Sequence, residues 1–513
     1  MNTTSPDTAV PARMHLRVRY PQLFDWVSMA IYVLLVYSWA LGIYPLGRDY
    51  AAPELPAALA PVWQAVQAAF GSSFWSYQLF NAIVLYGCMI ATFYLMRLGH
   101  QGPWWLGTLA AVLFMANPVH TESVANLCGM IDLLPCFLAL VALAVYMRTV
   151  RSGQFRWLLL AVPLTVLAML AAPENAGLAL VCALFEAVCA SDPVRKRIMR
   201  LAPVLLAVLG ASLPHGKAMF AHGGNVAAMF GPLHLILYPI GFLPITARYI
   251  QEIPLLGWCM AVPVVALIAL IYWRARRPMI LFGLLAMPAV RVFGGGRPFE
   301  PVHLIGGGQL LLANAFFAIA LTALFHRIMD HPKWRRLTVS GTSLLCLIFM
   351  VVQVHALVQW RSAGNLLRDF HAQLRMMNGE ASGPVSGEAL LISPDIHYVE
   401  GAPLCLSSSL MIGDQNVPYR PDLPTFSGGV FAAPKINIFR RKGVHVKSNI
   451  EDDRVVAVVE GATHFDAVPL ENCWKWNVEQ GSVGPLKIWA ELPEAGPHLL
   501  VFPGQFPWPS SEP

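Results

Sequence analysis

Long apolar runs dominate the first 360 residues of the chain. A polar start ends in Arg13, Arg17 and Arg19, and about 20 apolar residues follow, roughly 24–44. That length spans a bilayer. It exceeds a signal-peptide core and carries no small-residue cleavage site, so it predicts an uncleaved anchor. Further runs lie near 76–97, 103–118, 132–148, 156–171, 175–190, 198–213, 228–247, 256–273, 278–294, 304–325 and 338–359, which makes twelve candidate spans.

Charge orders these spans. Short loops rich in Arg and Lys mark the cytoplasmic side. Such clusters fall at Arg13/Arg17/Arg19, Arg97, Arg148/Arg151/Arg156, Arg195/Lys196/Arg197/Arg200, Arg274/Arg276/Arg277 and Lys333/Arg335/Arg336. The alternation fails only if both 198–213 and 228–247 cross. The second of these holds Pro232, Pro239 and Pro244, which interrupt helix hydrogen bonding. It is therefore expected to be interfacial or re-entrant. Eleven spans remain, with the N-terminus cytoplasmic and the C-terminus outside.

Past residue 361 the pattern changes. Gly, Pro, Ser and charge increase, and short runs rich in Val, Ile and aromatics alternate with turn residues: Ala389–Ser393, Val444–Lys447, Val455–Glu460, Leu486–Ala490 and His498–Phe502. This predicts a small β-rich domain. The expected layout is a cytoplasmic tail over 1–22, a transmembrane domain over 23–360, a linker helix over 361–384 and an extracytoplasmic β-rich domain over 385–513. Tandem repeats are not seen.

Composition agrees with a membrane protein. Of 513 residues, 56% are hydrophobic and 12% charged, and the mean hydropathy is +0.55. A chain with so little charge cannot cover a wholly soluble enzyme, and it is too apolar for a disordered scaffold. The net charge of +6 is small, and nucleic acid is not an expected partner. Of nine cysteines, seven lie in apolar runs, no CxxC pair exists, and only Cys405 and Cys473 lie in the tail. One disulfide between those two is compatible with an extracytoplasmic tail.

The polar residues gather in the loops expected outside. The first such loop holds Arg48, Asp49 and Glu54, followed by an amphipathic stretch from Leu59 to Val66. The second runs from Asn117 through His120 and Glu122 to Asp132. A tight third is Pro173-Glu174-Asn175. Later come Lys217, Arg248, Glu252, Arg291, Arg297, Glu300 and His303. Ionisable groups at helix ends in a membrane are costly, which makes them functional candidates. Transfer from a lipid-linked phosphate donor fits this set. A carboxylate such as Asp49 would take a proton from an acceptor hydroxyl. Arg side chains would hold the phosphate. A carboxylate–His pair would suit a divalent cation, although which residues would hold a metal is unknown from the sequence. The same carboxylates equally suit helix capping or hydration, and capping alone would account for Asp132.

The stretch from Asn117 to Tyr146, NPVHTESVANLCGMIDLLPCFLALVALAVY, resembles the signature of membrane proteins related to the TMTC-type protein O-mannosyltransferases of the GT-C superfamily. Pro118, His120, Glu122, Val124, Gly129, Asp132, Leu133, Leu134 and Tyr146 match it. Tyr77 and Asn81 resemble the family's YHxxN, Pro173-Glu174 its KE turn, Tyr238-Pro239 its loop proline, and Trp360-Arg361-Ser362-Ala363-Gly364 the segment after the last span. The similarity covers about residues 20–410. The chain departs from the pattern at Asn117 for His, Met130 for Arg, Pro173 for Lys and Gln78 for His. The early acidic pair is reduced to Asp49 beside Arg48, and a late motif is reduced to Arg297-Pro298-Phe299-Glu300-Pro301. No TPR array follows.

The resemblance implies a GT-C-like helical membrane domain. It implies a glycosyltransferase that takes a sugar from a polyprenyl-phosphate donor at the extracytoplasmic face of the cytoplasmic membrane. Asp49 would be the base, with Glu54 in reserve. His120, Glu122, Asp132 and Glu174 would shape the donor and substrate site or hold a cation. Arg248 and Arg297 would grip the phosphate. Replacing the motif Arg by Met removes five donors and a fixed charge. Donor binding is therefore either rebuilt with Arg248, Arg291 and Arg297, or activity is lost. In the second case the chain is a non-catalytic subunit or scaffold whose C-terminal domain docks a protein partner.

Overall fold

The computed structural model describes residues 21–44, 56–71, 73–100, 102–212, 278–293 and 307–380, Leu235, and short strands between residues 390 and 500. The helices in chain order are α1 (Pro21–Tyr37), α2 (Ala60–Phe70), α3 (Phe74–His100), α4 (Trp105–Ala116), α5 (Thr121–Ala125) and α6 (Met130–Ser152). They continue with α7 (Leu158–Ala171), α8 (Leu178–Val188), α9 (Val194–Ser212), α10 (Pro278–Ala289), α11 (Leu311–Met329) and α12 (Pro332–Glu380). Short 3-10 turns at Pro118–His120, Leu127–Gly129, Pro173–Gly177 and Gly307–Leu310 join them.

Each expected apolar run that falls on described residues forms a helix. Among these residues, Phe74–His100, Leu127–Ser152, Gly307–Met329 and Pro332–Arg361 are long and apolar enough to cross a membrane. Shorter apolar helices, Trp26–Tyr37, Trp105–Ala116, Phe155–Ala171 and Pro278–Ala289, accompany them. The protein is a multi-pass helical membrane protein. The runs 228–247 and 256–273 lie outside the described residues apart from Leu235, as do the Arg274 cluster, Cys259, Cys405 and Cys473.

Among the described residues one large core joins most of the helices, with two small satellites around Phe349 and Met169. α3 packs on α4 and α6, α6 on α7, α10 on α8 and α11, and α11 on α4. Helix association in lipid relies on close packing and side-chain hydrogen bonds, because lipid tails are as apolar as the core. Ring contacts between Phe185, Phe282 and Phe316 tie α8, α10 and α11 together at 5.4 and 5.8 Å. Proline punctuates several helices without ending them: Pro135 in α6, Pro163 in α7 and Pro203 in α9. Gly153, in the left-handed region at φ 67°, closes α6 by donating to Thr149 O.

α12 lies at the periphery, with only 28% of its spanning window buried. Leu337, Leu344, Leu347, Ile348 and Val351 are exposed along it, as suits a face turned to lipid. The linker helix expected after residue 360 has no break before it. It is the continuation of the last span, in a helix of 49 residues, about 73 Å long. Trp360 is buried at the point where the span would end, and Tyr37 and Gln353 share a side-chain hydrogen bond that ties α12 to α1.

Beyond α12, strands are described at Leu390–Ile392 (β1), Tyr398–Val399 (β2), Ala402–Pro403 (β3), Thr425–Phe426 (β4), Gly429–Ala432 (β5), His445–Glu451 (β6), Arg454–Glu460 (β7), His464–Ala467 (β8), Asn477–Glu479 (β9), Leu486–Glu491 (β10) and His498–Leu500 (β11). β6, β7, β10 and β9 form an antiparallel sheet in that order, with Ile488 opposite Ala457 and Val478.

Candidate functional site

The bundle has two chemically different ends. At one end Arg151 donates to the carbonyls of Leu98 and Gly99 at 2.8 and 2.7 Å, and so caps α3. Arg97, Arg148, Arg195, Lys196 and Arg197 cluster there in sequence with it. The other end gathers the turns 117–129, 172–177, 290–293 and 307–310, where the motif lies.

The motif segment folds as turn, short helix and turn, and every polar residue from Asn117 to Ser123 is buried. Its backbone groups therefore need partners inside the protein. Asn117 opens the first turn by accepting from Val119 N at 3.2 Å. Asn81 Nδ2 donates to Asn126 O at 2.7 Å. Gln78, wholly buried, does more. Its Oε1 accepts from Gly42 N at 2.6 Å, and its Nε2 donates to Ile43 O at 2.8 Å and Ala125 O at 3.0 Å. An amide can accept and doubly donate in one plane, which a neutral imidazole cannot. Gln78 thus joins the end of the first helical segment to the motif loop. A Cβ at Gly364 would stand 2.9 Å from Tyr44 N, so α12 closes on the same point.

His120 is sealed away from the cleft described below. Its Nε2 stands 2.6 Å from Phe114 O, which makes Nε2 the protonated nitrogen. Asn314 Nδ2 donates to the same carbonyl at 2.9 Å. Burial pulls the His120 pKa down to about 4, against the weaker opposing effect of the Phe114 bond. The ring is therefore neutral at physiological pH and serves as a strut between α4, the motif loop and α11. Glu122 is 4% exposed on α5, beside it in the chain.

Asp132 sits in the first turn of α6, where a carboxylate favours the helix dipole, but the cap is Gly129 and no side chain bonds there. The capping account of Asp132 is thus replaced. Its Oδ2 lies 3.5 Å from Ser123 Oγ, and a Cβ at Gly308 would stand 2.3 Å from that same oxygen. Only glycine lets the 307–310 turn approach the carboxylate so closely. Gly129 is equally constrained, since its Cβ would meet Ser123 O at 1.7 Å.

Asp132 lines a small open cleft together with Glu174, Asn175, Arg291, Gln309 and apolar neighbours from α6, α11 and the turn after α10. Asn175 Nδ2 donates to Pro135 O at 3.3 Å and Ala168 O at 2.9 Å, and so fixes the turn that carries Glu174. Pro288 ends α10, and the next turn, Arg291 N to Pro288 O at 3.0 Å, delivers Arg291. Arg291 Nη1 stands 3.6 Å from Glu174 Oε2, and Nη2 donates to Gln309 Oε1 at 2.9 Å. Of the sequence candidates, the structure brings Asp132 and Glu174 into one cleft and leaves His120 outside its lining. Asp49, Glu54, Arg248 and Arg297 lie outside the described residues. Gln309 and the Gly308 turn were not singled out by sequence; the Gly-Gly-Gly-Gln run at 306–309 was the available signal. Among the described residues, no three His, Cys, Asp or Glu side chains are grouped to hold a metal ion.

These features define a class: a multi-pass helical membrane protein with a charged cleft at one end of its bundle, walled in part by the first turns of α6. No family model matches the chain. Its similarity to the TMTC-type O-mannosyltransferases is met in Protein O-mannosyl-transferase Tmtc2 of Drosophila melanogaster, with 38% identity over 112 residues. That match spans 20% of this chain and 12% of the fly protein's length. The oligosaccharyltransferase of Archaeoglobus fulgidus, solved in the apo form, aligns with a TM-score of 0.38 and 12% identity over 72% of this chain and 58% of its own.

Proposed function

We propose that the protein is a GT-C-type glycosyltransferase that moves a sugar from a polyprenyl-phosphate donor to an acceptor at the extracytoplasmic face of the cytoplasmic membrane. It would cross eleven times, with its N-terminus inside and a β-rich domain over 385–513 outside. One observation carries the reading: the segment that resembles the O-mannosyltransferase signature folds so that its Asp132 opens into a cleft shared with Glu174 and Arg291. Carboxylates and a guanidinium at one helix end suit a hydroxyl acceptor and a phosphate leaving group. In this reading Asp49 is the base, with Glu54 in reserve, and Arg248 and Arg297 hold the phosphate. Asp132, Glu122 and Glu174 shape the site or hold a divalent cation, and His120 braces the loop.

The test is sugar transfer by the full chain in proteoliposomes supplied with polyprenyl-phosphate sugars. Asp49→Asn keeps shape and removes the base, so turnover should fall by about 10²–10⁴-fold. Arg297→Ala should raise the donor concentration needed. A reporter after Arg277 should read cytoplasmic and one after Ser393 outside. One observation favours the alternative of a non-catalytic subunit whose tail docks a protein: Met130, in place of the family's Arg, is 1% exposed and leaves no charge there. Full turnover by both Asp49→Asn and Glu54→Gln would refute the assigned bases. A wild-type chain with no transfer at all would favour the subunit.

A further inference from the structure

Arg291 is 6% exposed, yet its donors are poorly used. Nη2 has Gln309 Oε1 at 2.9 Å. Nη1 has Gln309 O at a long 3.3 Å and Glu174 Oε2 at 3.6 Å. Nε is buried with no partner. A guanidinium removed from water ordinarily takes carboxylate oxygens at about 2.7–2.9 Å. Arg200, in the same molecule, meets Glu186 at 2.8 and 2.9 Å. Burying a charge without such partners is costly, and the cost points to a missing acceptor. Glu174 is too far to be that acceptor and is 36% exposed, so it can turn away. Among the described residues that line the cleft, Asp132, Glu174 and Arg291 sum to −1, which repels an anion. With Glu174 turned out, Asp132 and Arg291 balance.

We propose that Arg291 grips a phosphate oxygen of the lipid-linked donor, replacing the motif Arg that this chain lacks at Met130, and that Glu174 is an internal stand-in which the phosphate displaces. The proposal rests on the glycosyltransferase reading and assigns it a residue and an exchange. Because Glu174 competes with the ligand, its removal and that of Arg291 have opposite effects on binding. A purely structural ion pair has no such asymmetry.

The experiment uses the full chain in phosphatidylcholine nanodiscs, titrated separately with polyprenyl phosphate, the matching polyprenol and phosphatidylglycerol. Arg291→Gln should weaken polyprenyl-phosphate binding about 10–100-fold. Glu174→Gln should tighten it several-fold, by roughly the loss of one competing charge. Polyprenol binding should not change. Arg291→Lys keeps the charge without the fork and should fall between; it decides the matter if Arg291→Gln does not fold. Wild-type binding of polyprenyl phosphate that neither variant alters, or that both weaken, overturns the role of Arg291 and leaves the glycosyltransferase reading intact. Phosphatidylglycerol binding with the same Arg291 dependence assigns the grip to bulk lipid and overturns the donor assignment. No preference of the wild type for polyprenyl phosphate over polyprenol overturns both.

Discussion

Arg200 and Arg291 are both buried at helix ends, and both face a glutamate from α8 or the turn before it. Their surroundings differ. Arg200 meets both oxygens of Glu186 and also Asp192 Oδ2 at 2.7 Å, while Tyr146 donates to Glu186 Oε1 at 2.9 Å. Arg197 adds a bond to Glu186 O at 3.0 Å and one to Asp192 O at 2.6 Å. Arg291 has one good side-chain bond and an orphaned Nε. The basic end is closed chemically and locks α6, α8 and α9 together. The motif end is less tightly closed, with its scaffold satisfied behind the cleft and Arg291 Nε without a partner within it. Incomplete pairing of a buried charge inside a membrane protein is the feature on which the proposed phosphate grip rests.

The largest effect should come from breaking the closed end. Arg200→Met leaves Glu186 buried and unpaired, and stability should fall by about 3–5 kcal/mol. Thermal unfolding in detergent measures this. Replacing Glu186 and Arg200 together by Met should recover most of the loss, because no lone charge remains. If the double variant is no better than the single one, the network does more than neutralise itself.

His120 gives the next effect, through pH. Its folded pKa of about 4 lies below the ordinary 6.5. The unfolded chain thus binds the proton first, and the native form is fully favoured above about pH 6.5. Stability from this group falls as pH drops from there towards 4, by up to about 3 kcal/mol. A His120→Asn variant should be less stable at pH 7 but flatter across that range.

Gln78→Ala should follow. It strips Gly42 N, Ile43 O and Ala125 O of one buried partner each, at a cost of about 2 kcal/mol. The loss should appear as faster exchange of the Gly42 amide, whereas the Arg200 variant leaves that amide protected. Gln78→His should restore only part of it.

The sequence made the helices legible because a bilayer demands long apolar runs, and the runs near 76–97, 132–148 and 304–325 fall on α3, α6 and α11. Asp132 and Glu174 stand out in the sequence as ionisable groups at helix ends. Their meeting with Arg291 was not, since it depends on how Pro288 ends α10 and on a glycine at 308 that lets a distant turn approach Asp132. The surroundings of His120 are hidden from the sequence for a related reason. A histidine in a motif suggests a ligand, but only packing reveals that Phe114 O and Asn314 enclose it. The Glu186 network is not legible in the sequence either, because Arg200 reads there as one more cytoplasmic charge. Tyr146 ends the family signature, and its structural role is to bond Glu186.

The smallest effect sharpens the contrast most. Glu174→Gln removes a carboxylate that stands 3.6 Å from Arg291 and is more than a third exposed. Exposed, loosely placed ion pairs contribute about 0–1 kcal/mol, since water and salt screen them. The variant should therefore unfold within a few degrees of the parent. Glu186→Gln, which makes the same chemical change at the closed end, should lower the transition far more, because Arg200 would lose a fully desolvated carboxylate partner. A large loss from Glu174→Gln would mean that the 3.6 Å pair is itself a structural lock. The motif end would then be as closed as the other, and the vacancy argued for Arg291 would disappear with it.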